Sequence, residues 1–419
     1  MRVADQIRGI YEERPYPFGN SKALRRRSWT LVLEWVDAVG RPQATAPPAR
    51  VLVAGCGDGT EAFDLRRRLP LAAIVAVDFS RRSIAIARRL QRRLAIMRDI
   101  RFVVGDLADP SLPSRLGGRF DLIICHGVLS YIPRPRRALR NFARCLADGG
   151  SLYLGVNGSR HVNTRLRRVL PDFGYDLEVF RDSSRVRDVL RLCDRVVSAD
   201  GLPKVADHRP GFLASDVFGA LNQSLPLAQW AVLARRAGLY LRGNWASIRM
   251  FRRIAEGDLD RLLVPRSRAQ VVDLLERLSP SQFHRLLFCR SAEAAPPWAD
   301  RRQLLRWRLA ATRLYRAALP KAGRTVRDRV RRLVIESPAL NLKMDWSMPE
   351  WELELLRRGD GVRTLGEVLE AIPLWVPYED LRRQLYLLQQ LAIVNLLPPA
   401  PNGPARPRGA RRRRGRSPA

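Results

Sequence analysis

Apolar and polar positions alternate in two different ways along the chain. Between about Arg50 and Asn157, five short apolar runs (VLVAG, AAIVAVD, IRFVVGD, FDLIICHG and SLYLGVN) alternate with segments typical of helices. Continuous apolar runs of this length are typical of strands that are buried on both faces, so the pattern predicts a parallel sheet covered by helices. A helix in AQWAVLARRAG and a strand in LYLRG complete the predicted α/β domain, residues 50–245.

The second part of the chain, after Asn244, has mainly helical periodicity. It predicts helices at Arg268 to Leu278, Ser281 to Arg290 and Arg301 to Leu319, which form a helical region over residues 246–323. Residues 324–397 contain three more helices, in MPEWELELLRR, TLGEVLEAI and PYEDLRRQLYLLQQLA, followed by a short strand, IVNLL. This order predicts a small winged-helix-like domain. Residues 398–419 are rich in Arg, Pro and Gly and are predicted to be a disordered basic tail.

The first 49 residues predict an N-terminal lid and a helix. The prolines in YEERPYPFGN predict an extended, ordered segment, and an amphipathic helix follows from about Lys22 to Val39. Aromatic residues are concentrated where a terminus is usually polar and mobile. We therefore expect Tyr11 to Phe18 to close over a site in the α/β domain.

Composition narrows the choice of compartment and partners. The formal net charge is +34, but all of the 75 basic residues except four lysines are arginines spread along the chain, as a GC-rich genome would also produce. This distribution argues against a specific nucleic-acid interface. The chain has no signal-peptide-like start and no apolar stretch of roughly 20 residues, which predicts a cytoplasmic protein without a membrane span. The five cysteines and four histidines lack the spacing of metal ligands, so no metal is expected.

Small and acidic residues mark the ends of the first four predicted strands. The first strand runs into Gly55, Gly57 and Gly59, and glycines allow a backbone to approach a ligand closely. The second strand ends at Asp78, where a carboxylate can accept both hydroxyls of a ribose. The third ends before Asp106, and the fourth ends at Cys125-His126-Gly127, at the edge where open α/β sheets bind ligands. The set predicts an adenosyl-binding site.

These motifs resemble the class I methyltransferases, which bind S-adenosyl-L-methionine, and the resemblance implies a Rossmann-like sheet. The resemblance implies that Gly55, Cys56, Gly57 and Gly59 line the methionine and ribose, that Asp78 binds the ribose hydroxyls, and that Asp106 and Leu107 frame the adenine, with Phe79 and His126 also at the cofactor. The family usually has an acid two residues before the first glycine. Here that residue is Val53, so the amino group of the cofactor must find another partner.

HGVLSYIP and the Tyr11, Pro15, Tyr16, Pro17 pattern resemble bacterial protein-lysine methyltransferases that carry a methyltransferase regulatory domain. FLASDVFGALNQSLPLAQWAVLARRAGLYLRGN and SPSQFHRLLFCRSAEA echo that domain. Methyl transfer from a sulfonium is an in-line displacement, so alignment rather than an obligatory base supplies the catalysis. The residues expected to shape the acceptor pocket are His126, Ser130, Tyr131 and Asn157, together with Tyr11 and Tyr16.

Three functions are compatible with these patterns. The first is methylation of a protein side chain, with lysine as the acceptor. The second is methylation of a small molecule in secondary metabolism. The third is a methyltransferase-like module that binds nucleic acid through its C-terminal unit, although the many acidic residues on those helices weigh against it. The acceptor is therefore undetermined, and a homodimer is left open.

Overall fold

The computed structural model describes most of the predicted α/β domain and parts of the flanking regions. The described residues are 3–13, 33, 35–36, 39–41, 46–94, 99–161, 164, 167–168, 172, 191, 219, 221–245, 266–278, 280–312, 330–337, 342–373 and 375–400. Within 330–348, only the backbone is described. The predicted residue Tyr16 and the tail beyond residue 400 lie outside these ranges.

The five predicted strands form a parallel sheet. They are β1 (Arg50–Ala54), β2 (Ala73–Asp78), β3 (Ile100–Val104), β4 (Phe120–His126) and β5 (Leu146–Asn157). β1 lies at the centre, pairing with β2 on one side and with β4 on the other. The intervening helices are α2 (Thr60–Arg68), α3 (Arg81–Arg93), α4 (Leu112–Leu116) and α5 (Pro135–Cys145). This confirms the Rossmann-like α/β prediction.

Alternate side chains of each strand enter two separate cores, one on each face of the sheet. Val51 and Val53 of β1 pack in one core with Phe63 of α2, whereas Leu52 packs in the other with Phe142 of α5. All five side chains are at most 1% exposed. Burial of an apolar side chain of this size contributes about 1.5–3 kcal/mol, so both layers of helices hold the sheet. The continuous apolar runs of the sequence reflect this burial on two faces.

Two further strands extend the sheet beyond β5. Helix α6 (Leu227–Arg235) leads into β6 (Tyr240–Asn244), as predicted, but β6 does not pair with β5. β7 (Phe283–Cys289) lies between them and is antiparallel to both, which gives the order β3-β2-β1-β4-β5-β7-β6. The predicted helix at Ser281 to Arg290 is therefore wrong, and the sheet extends past the predicted domain boundary at residue 245. The apolar run LLF of β7 is buried on both faces, a pattern that periodicity cannot distinguish from a helix.

The N-terminal segment begins with a helix, α1 (Val3–Glu13), which includes the first three residues of the segment predicted to be extended; residues 14–20 of that segment lie outside the described residues. The first proline, Pro15, comes two positions after its last residue. Because a proline disfavours helical backbone in the residue before it, the prolines limit where this helix ends without preventing it. Of the predicted helix at Lys22 to Val39, residues 33, 35, 36 and 39 are described, and their backbone is helical.

The C-terminal part combines helices with two small antiparallel sheets. Its elements are α7 (Arg268–Leu278), α8 (Arg301–Leu305), β8 (Arg308–Ala311), β9 (Val330–Ser337), β10 (Leu342–Pro349), α9 (Glu350–Arg358), β11 (Asp360–Thr364), α10 (Leu365–Glu370), α11 (Tyr378–Gln390) and β12 (Val394–Leu397). β9 pairs with β10, and β8 lies between β11 and β12. The prediction of a helix from Arg301 to Leu319 is wrong after Leu305, where β8 follows. The three helices and the strand predicted for residues 324–397 are present, while a winged-helix arrangement stays a prediction.

A buried arginine links the C-terminal elements to α7. Arg268 is 6% exposed, and its Nη2 donates a 2.7 Å hydrogen bond to the carbonyl of Gln389 at the end of α11. Its Nη1 lies 3.4 Å from a carboxylate oxygen of Glu293. Since a buried guanidinium without partners is costly, these contacts fix α7 against the C-terminal helices.

The described residues add two findings on membranes and metals. No described helix is both long and apolar enough to cross a membrane. No group of His, Cys, Asp and Glu side chains in the described part of the chain could hold a metal ion. The four described cysteines are Cys56, Cys125, Cys145 and Cys289, and each is a buried free thiol.

Candidate functional site

The glycine loop connects β1 to α2 at the carboxyl edge of the parallel strands. Gly55, Gly57 and Gly59 all have positive φ angles, of 78°, 52° and 86°. At Gly55 a Cβ atom would lie 2.4 Å from Cγ2 of Val128, which follows β4. A side chain at Gly55 would therefore be strained by its backbone and would also clash with the neighbouring loop. Gly59 is the N-cap of α2.

Asp78 at the end of β2 holds the glycine loop in place. Its Oδ2 accepts a 2.9 Å hydrogen bond from the backbone N–H of Gly57, and its Oδ1 accepts one of the same length from Ser80. Burial raises the pKa of Asp78 to about 6, although both N–H groups act in the opposite direction. The N–H of Phe79 also lowers the pKa of this carboxylate through a hydrogen bond. Since a carboxylate has about four acceptor positions, Asp78 could still accept a hydroxyl hydrogen. Asp78 thus holds the glycine loop in place and can still accept a hydrogen bond from a ligand.

The loop after β3 carries Asp106 and Leu107. Oδ1 of Asp106 accepts a 2.8 Å hydrogen bond from the backbone of Ala108, and Leu107 is 5% exposed. A residue that the sequence did not single out, Asn141 of α5, fixes this loop. Its Nδ2 donates to the carbonyls of Leu107 and Asp109, at 2.8 and 2.7 Å. The buried amide keeps Leu107 as one wall of the site.

His126 at the end of β4 is a neutral side chain in a fixed orientation. Its ring is stacked on that of Tyr153, and its Nδ1 lies 3.0 Å from the hydroxyl oxygen of Tyr153. Gly155 makes room for this ring, because a Cβ there would lie 2.4 Å from Nδ1. Burial, with a smaller effect from Arg285, lowers the pKa of His126 to about 3. The imidazole is therefore uncharged at neutral pH.

Tyr131 and Asn157 are joined by a hydrogen bond. Nδ2 of Asn157 donates to the hydroxyl of Tyr131 at 3.1 Å and to Oδ1 of Asn222 at 2.9 Å. The backbone N–H of Asn157 donates to Oγ of Ser130 at 2.8 Å. Asn157 is 1% exposed, so its amide positions the tyrosine ring and orders the loop after β4.

Helix α1 packs over the start of α3 and brings Tyr11 to the site. The carboxylate of Glu12 accepts hydrogen bonds from the backbone N–H groups of Arg81 and Arg82, at 2.7 and 3.0 Å. Oγ of Ser80 donates to the carbonyl of Tyr11 at 3.3 Å. The ring of Tyr11 meets that of Phe79 edge to face, with centroids 5.6 Å apart.

One cavity of about 450 Å³ brings these residues together. Of the predicted site residues, its lining contains Tyr11, Gly55, Cys56, Gly57, Asp78, Phe79, Asp106, Leu107, His126, Tyr131 and Asn157. Gly59 and Ser130 are not in the lining, although both support it. Gly127, which the sequence analysis named beside His126 at the end of β4, also lines the cavity. The lining further includes residues that the sequence analysis missed: Ile7, Arg8, Thr60, Glu61, Ser83, Gly105, Val128, Ile132, Pro133, His161 and Phe283. Phe283 was missed because β7 was predicted to be a helix.

A second, shallower groove of about 740 Å³ lies outside α5. Its lining includes four arginines, Arg134, Arg136, Arg137 and Arg140, and no acidic residue. Except for Pro133, which also lines the cavity, it contains none of the residues that form the site. The strand-end chemistry therefore places the candidate active site in the smaller cavity.

Known proteins resemble the chain over the same region. A family model described as a methyltransferase domain matches residues 52–152. The trans-aconitate 2-methyltransferase of Methylobacterium nodulans is 35% identical over 129 residues, which are 29% of this chain and 45% of that protein. The ubiquinone biosynthesis O-methyltransferase of Pseudomonas aeruginosa is 26% identical over 126 residues, 30% of this chain and 50% of that protein. The chain thus spans half or less of the length of these curated relatives.

The likeness to one solved structure is longer. PKMT2 from Rickettsia typhi, solved in complex with AdoHcy, covers 88% of this chain and 76% of its own, with a TM-score of 0.52 and 14% identity. At this identity the likeness shows a shared fold, which extends beyond the sheet into the C-terminal elements. The family match over residues 52–152 includes the glycine loop, Asp78 and Asp106, so the residues predicted to bind S-adenosyl-L-methionine lie within the matched methyltransferase domain.

Proposed function

We propose that the whole chain is an enzyme that transfers a methyl group from S-adenosylmethionine to the side-chain amine of a lysine in another protein. The observation that carries the methyl transfer is the position of Asp78. Its carboxylate lines the cavity at the carboxyl edge of the sheet and is fixed by the N–H groups of Gly57 and Ser80. In this position it would accept the ribose hydroxyls, with Asp106 and Leu107 at the adenine.

The acceptor side of the cavity supports an amine. Beyond the glycine loop, the walls are the rings of Tyr11, Tyr131, Phe283 and the neutral His126. A lysine ammonium can approach such rings through cation–π attraction. Enclosure by them disfavours the charged form, so the amine would lose its proton before it attacks the methyl group. Tyr131, fixed by Asn157, would help to align the nitrogen for the in-line displacement.

The groove outside α5 supports a protein as the carrier of that amine. Pro133 lines both the groove and the cavity, so the groove lies next to the cavity at this residue. The groove has four arginines and no acid, a composition that would attract an acidic segment of a protein partner. A small-molecule acceptor needs no such surface. The two curated relatives named above match only the cofactor domain, so the names they carry favour no acceptor here.

The test is to find where a labelled methyl group goes. The protein would be incubated with isotopically labelled S-adenosylmethionine and separate protein, nucleic-acid and metabolite fractions, and mass spectrometry would locate the label. We expect labelled lysines in the protein fraction, and no labelling with Asp78→Ala. Arg136→Glu, in the groove, is expected to reduce protein labelling while cofactor affinity is unchanged. Label that enters only metabolites or nucleic acid would overturn the lysine acceptor and leave the methyltransferase activity standing.

A further inference from the structure

Three carboxylates line the cavity, and their hydrogen bonds differ. Both oxygens of Asp78 accept backbone N–H groups, and Asp106 accepts one from Ala108. Glu61 differs from both, because its Oε1 is fully enclosed and has no hydrogen-bond partner among the described residues. A buried acceptor without a donor costs roughly 1–3 kcal/mol, and more when it is charged. Oε1 of Glu61 is therefore a hydrogen-bond acceptor in the cavity wall that a donor group of a ligand could satisfy.

The position of Glu61 indicates which part of the cofactor it faces. It lies in the first turn of α2, directly after the glycine loop. Its charge contributes to raising the pKa of the Cys125 thiol on β4 and of the Tyr153 hydroxyl on β5. Glu61 is therefore on the β4 side of the loop, whereas Asp106 follows β3 on the other side. With the adenosine between Asp106 and Asp78, the methionine end of the cofactor would extend past the loop toward Glu61.

Among the described residues that line the cavity, the only acids besides Glu61 are Asp78 and Asp106, which the proposed function places at the adenosine. The strand before the loop, β1, offers only apolar side chains there, and Val53 is completely buried. The methionine end carries an ammonium group with three N–H donors, a sulfonium with none, and a carboxylate. The unmet acceptor of Glu61 matches the ammonium group. An amine acceptor is a poorer match, because a carboxylate would hold it in the charged form that cannot attack.

We propose that the carboxylate of Glu61 accepts hydrogen bonds from the α-ammonium group of S-adenosylmethionine. Glu61 would then take the place of the acid that is missing at Val53. The proposal rests on the methyltransferase function proposed above, and it assigns a ligand-binding role to a residue that the strand-end motifs do not mark.

The protonation of Glu61 gives the proposal a second measurable consequence. Burial, followed by the charge of Asp64 on the same helix, raises the pKa of Glu61 to about 8. At pH 7 the empty site therefore holds Glu61 mainly protonated, and an ammonium ligand would favour the carboxylate and release the proton. The charge of Glu61 contributes to raising the pKa of Cys56, Cys125 and Tyr153. The other charged or titratable groups that line the same cavity are Arg8, Tyr11, Asp78, Asp106, His126, Tyr131 and His161.

The experiment is calorimetry of the full chain and of Glu61→Gln with S-adenosylmethionine, S-adenosylhomocysteine and 5′-methylthioadenosine, with kcat measured in parallel. S-adenosylhomocysteine carries the ammonium group, and 5′-methylthioadenosine lacks the whole amino-acid end. We expect the substitution to weaken S-adenosylhomocysteine roughly tenfold or more and to leave methylthioadenosine within about twofold. Titrations at pH 7 in two buffers of different ionisation enthalpy would show proton release on binding S-adenosylhomocysteine by the parent and none by the variant.

Other outcomes would overturn the assignment in distinguishable ways. Equal losses for S-adenosylhomocysteine and 5′-methylthioadenosine would mean that Glu61 only supports the loop. A loss confined to S-adenosylmethionine, with S-adenosylhomocysteine unaffected, would place Glu61 at the sulfonium. Unchanged affinities with a lower kcat would place it at the acceptor. If the parent protein bound none of these ligands, the proposed function itself would fail, whatever the variant does.

Discussion

The contact between α1 and α3 allows the predicted N-terminal lid to be tested without touching the cavity. Glu12 caps α3 from outside, since its two carboxylate oxygens accept the first two backbone N–H groups of that helix. We propose that this cap holds α1 closed over the site and that Glu12→Ala shifts α1 toward an open state. The tyrosine next to it, Tyr11, would then leave the cavity wall.

The size of the shift follows from the contacts that are lost. Removing a side-chain cap from a helix costs about 0.5–2 kcal/mol, and the favourable placement of a carboxylate at a helix N-terminus adds about 0.3–1 kcal/mol. Because Glu12 is partly exposed and solvent can replace it, we expect about 1–2 kcal/mol in total. This corresponds to a roughly 5- to 30-fold change in the ratio of closed to open α1.

Hydrogen exchange read by mass spectrometry measures this ratio directly. The amides of residues 3–13 should exchange about 5- to 30-fold faster in Glu12→Ala, while those of β1 and β4 should keep their protection. Glu13→Ala is the matched control, because its side chain is exposed and caps no helix. The affinity for S-adenosylhomocysteine should fall by no more than the same factor. If Glu12→Ala and Glu13→Ala exchange alike, the cap does not hold α1 closed and the lid loses its anchor.

Three further predictions concern Asp78, Gly55 and Glu352. Asp78→Ala should lower the affinity for S-adenosylhomocysteine at least 100-fold in calorimetry. The affinity of the parent protein should decrease when the pH is lowered below about 6, because Asp78 then gains a proton. An unchanged affinity in the variant would show that Asp78 does not bind the ribose. Gly55→Ala should lower the free energy of unfolding by about 2 kcal/mol or more, because the new Cβ clashes with Val128 and the backbone has a positive φ. Adding Val128→Ala should remove the clash and recover only that part of the loss, since the strain of the positive φ persists. Glu352 is completely buried without a hydrogen-bond partner for either oxygen in the described part of the chain, and burial raises its pKa to about 8. The protonated side chain is therefore tolerated at low pH, and the protein loses stability as the pH rises from the unfolded pKa of Glu352 toward 8. Glu352→Gln cannot ionise, so its melting temperature should exceed that of the parent by a growing margin between pH 6 and pH 9. A difference in melting temperature that does not change with pH would contradict this.

The elements that could be predicted from the sequence are those whose own residues carry a clear pattern. Each strand of the parallel sheet contains an apolar run, and the first four end at or next to a residue of a type expected at the ligand edge. Gly55, Asp78 and Asp106 could therefore be assigned to one site before any contact was known. The cavity lining confirms that they lie together.

The elements that were missed depend on contacts distant in sequence. The β7 segment, FHRLLFC, has few β-branched residues and has apolar positions that also fit a helix. It forms a strand because it pairs with β5 and β6 at the same time, and that pairing does not show in its own sequence. Glu61 is a different case. Its identity was visible, but its significance lies in the missing hydrogen-bond partner, which only the folded structure reveals.

The position of β7 means that the acceptor wall depends on chain far beyond the predicted methyltransferase domain. Phe283 begins this strand, and its ring lies 5.1 Å from that of His126. Arg285, two residues later on the same strand, contributes to the low pKa of His126. The family match ends at residue 152, so it includes neither of them. In the proposed function, the cofactor side would thus be built mainly by the stretch that matches the methyltransferase family model, whereas the acceptor side would be completed by a strand outside it. We therefore expect substitutions in β7 to change the acceptor while the cofactor affinity stays constant, because the two sides of the cavity come from different stretches of the sequence.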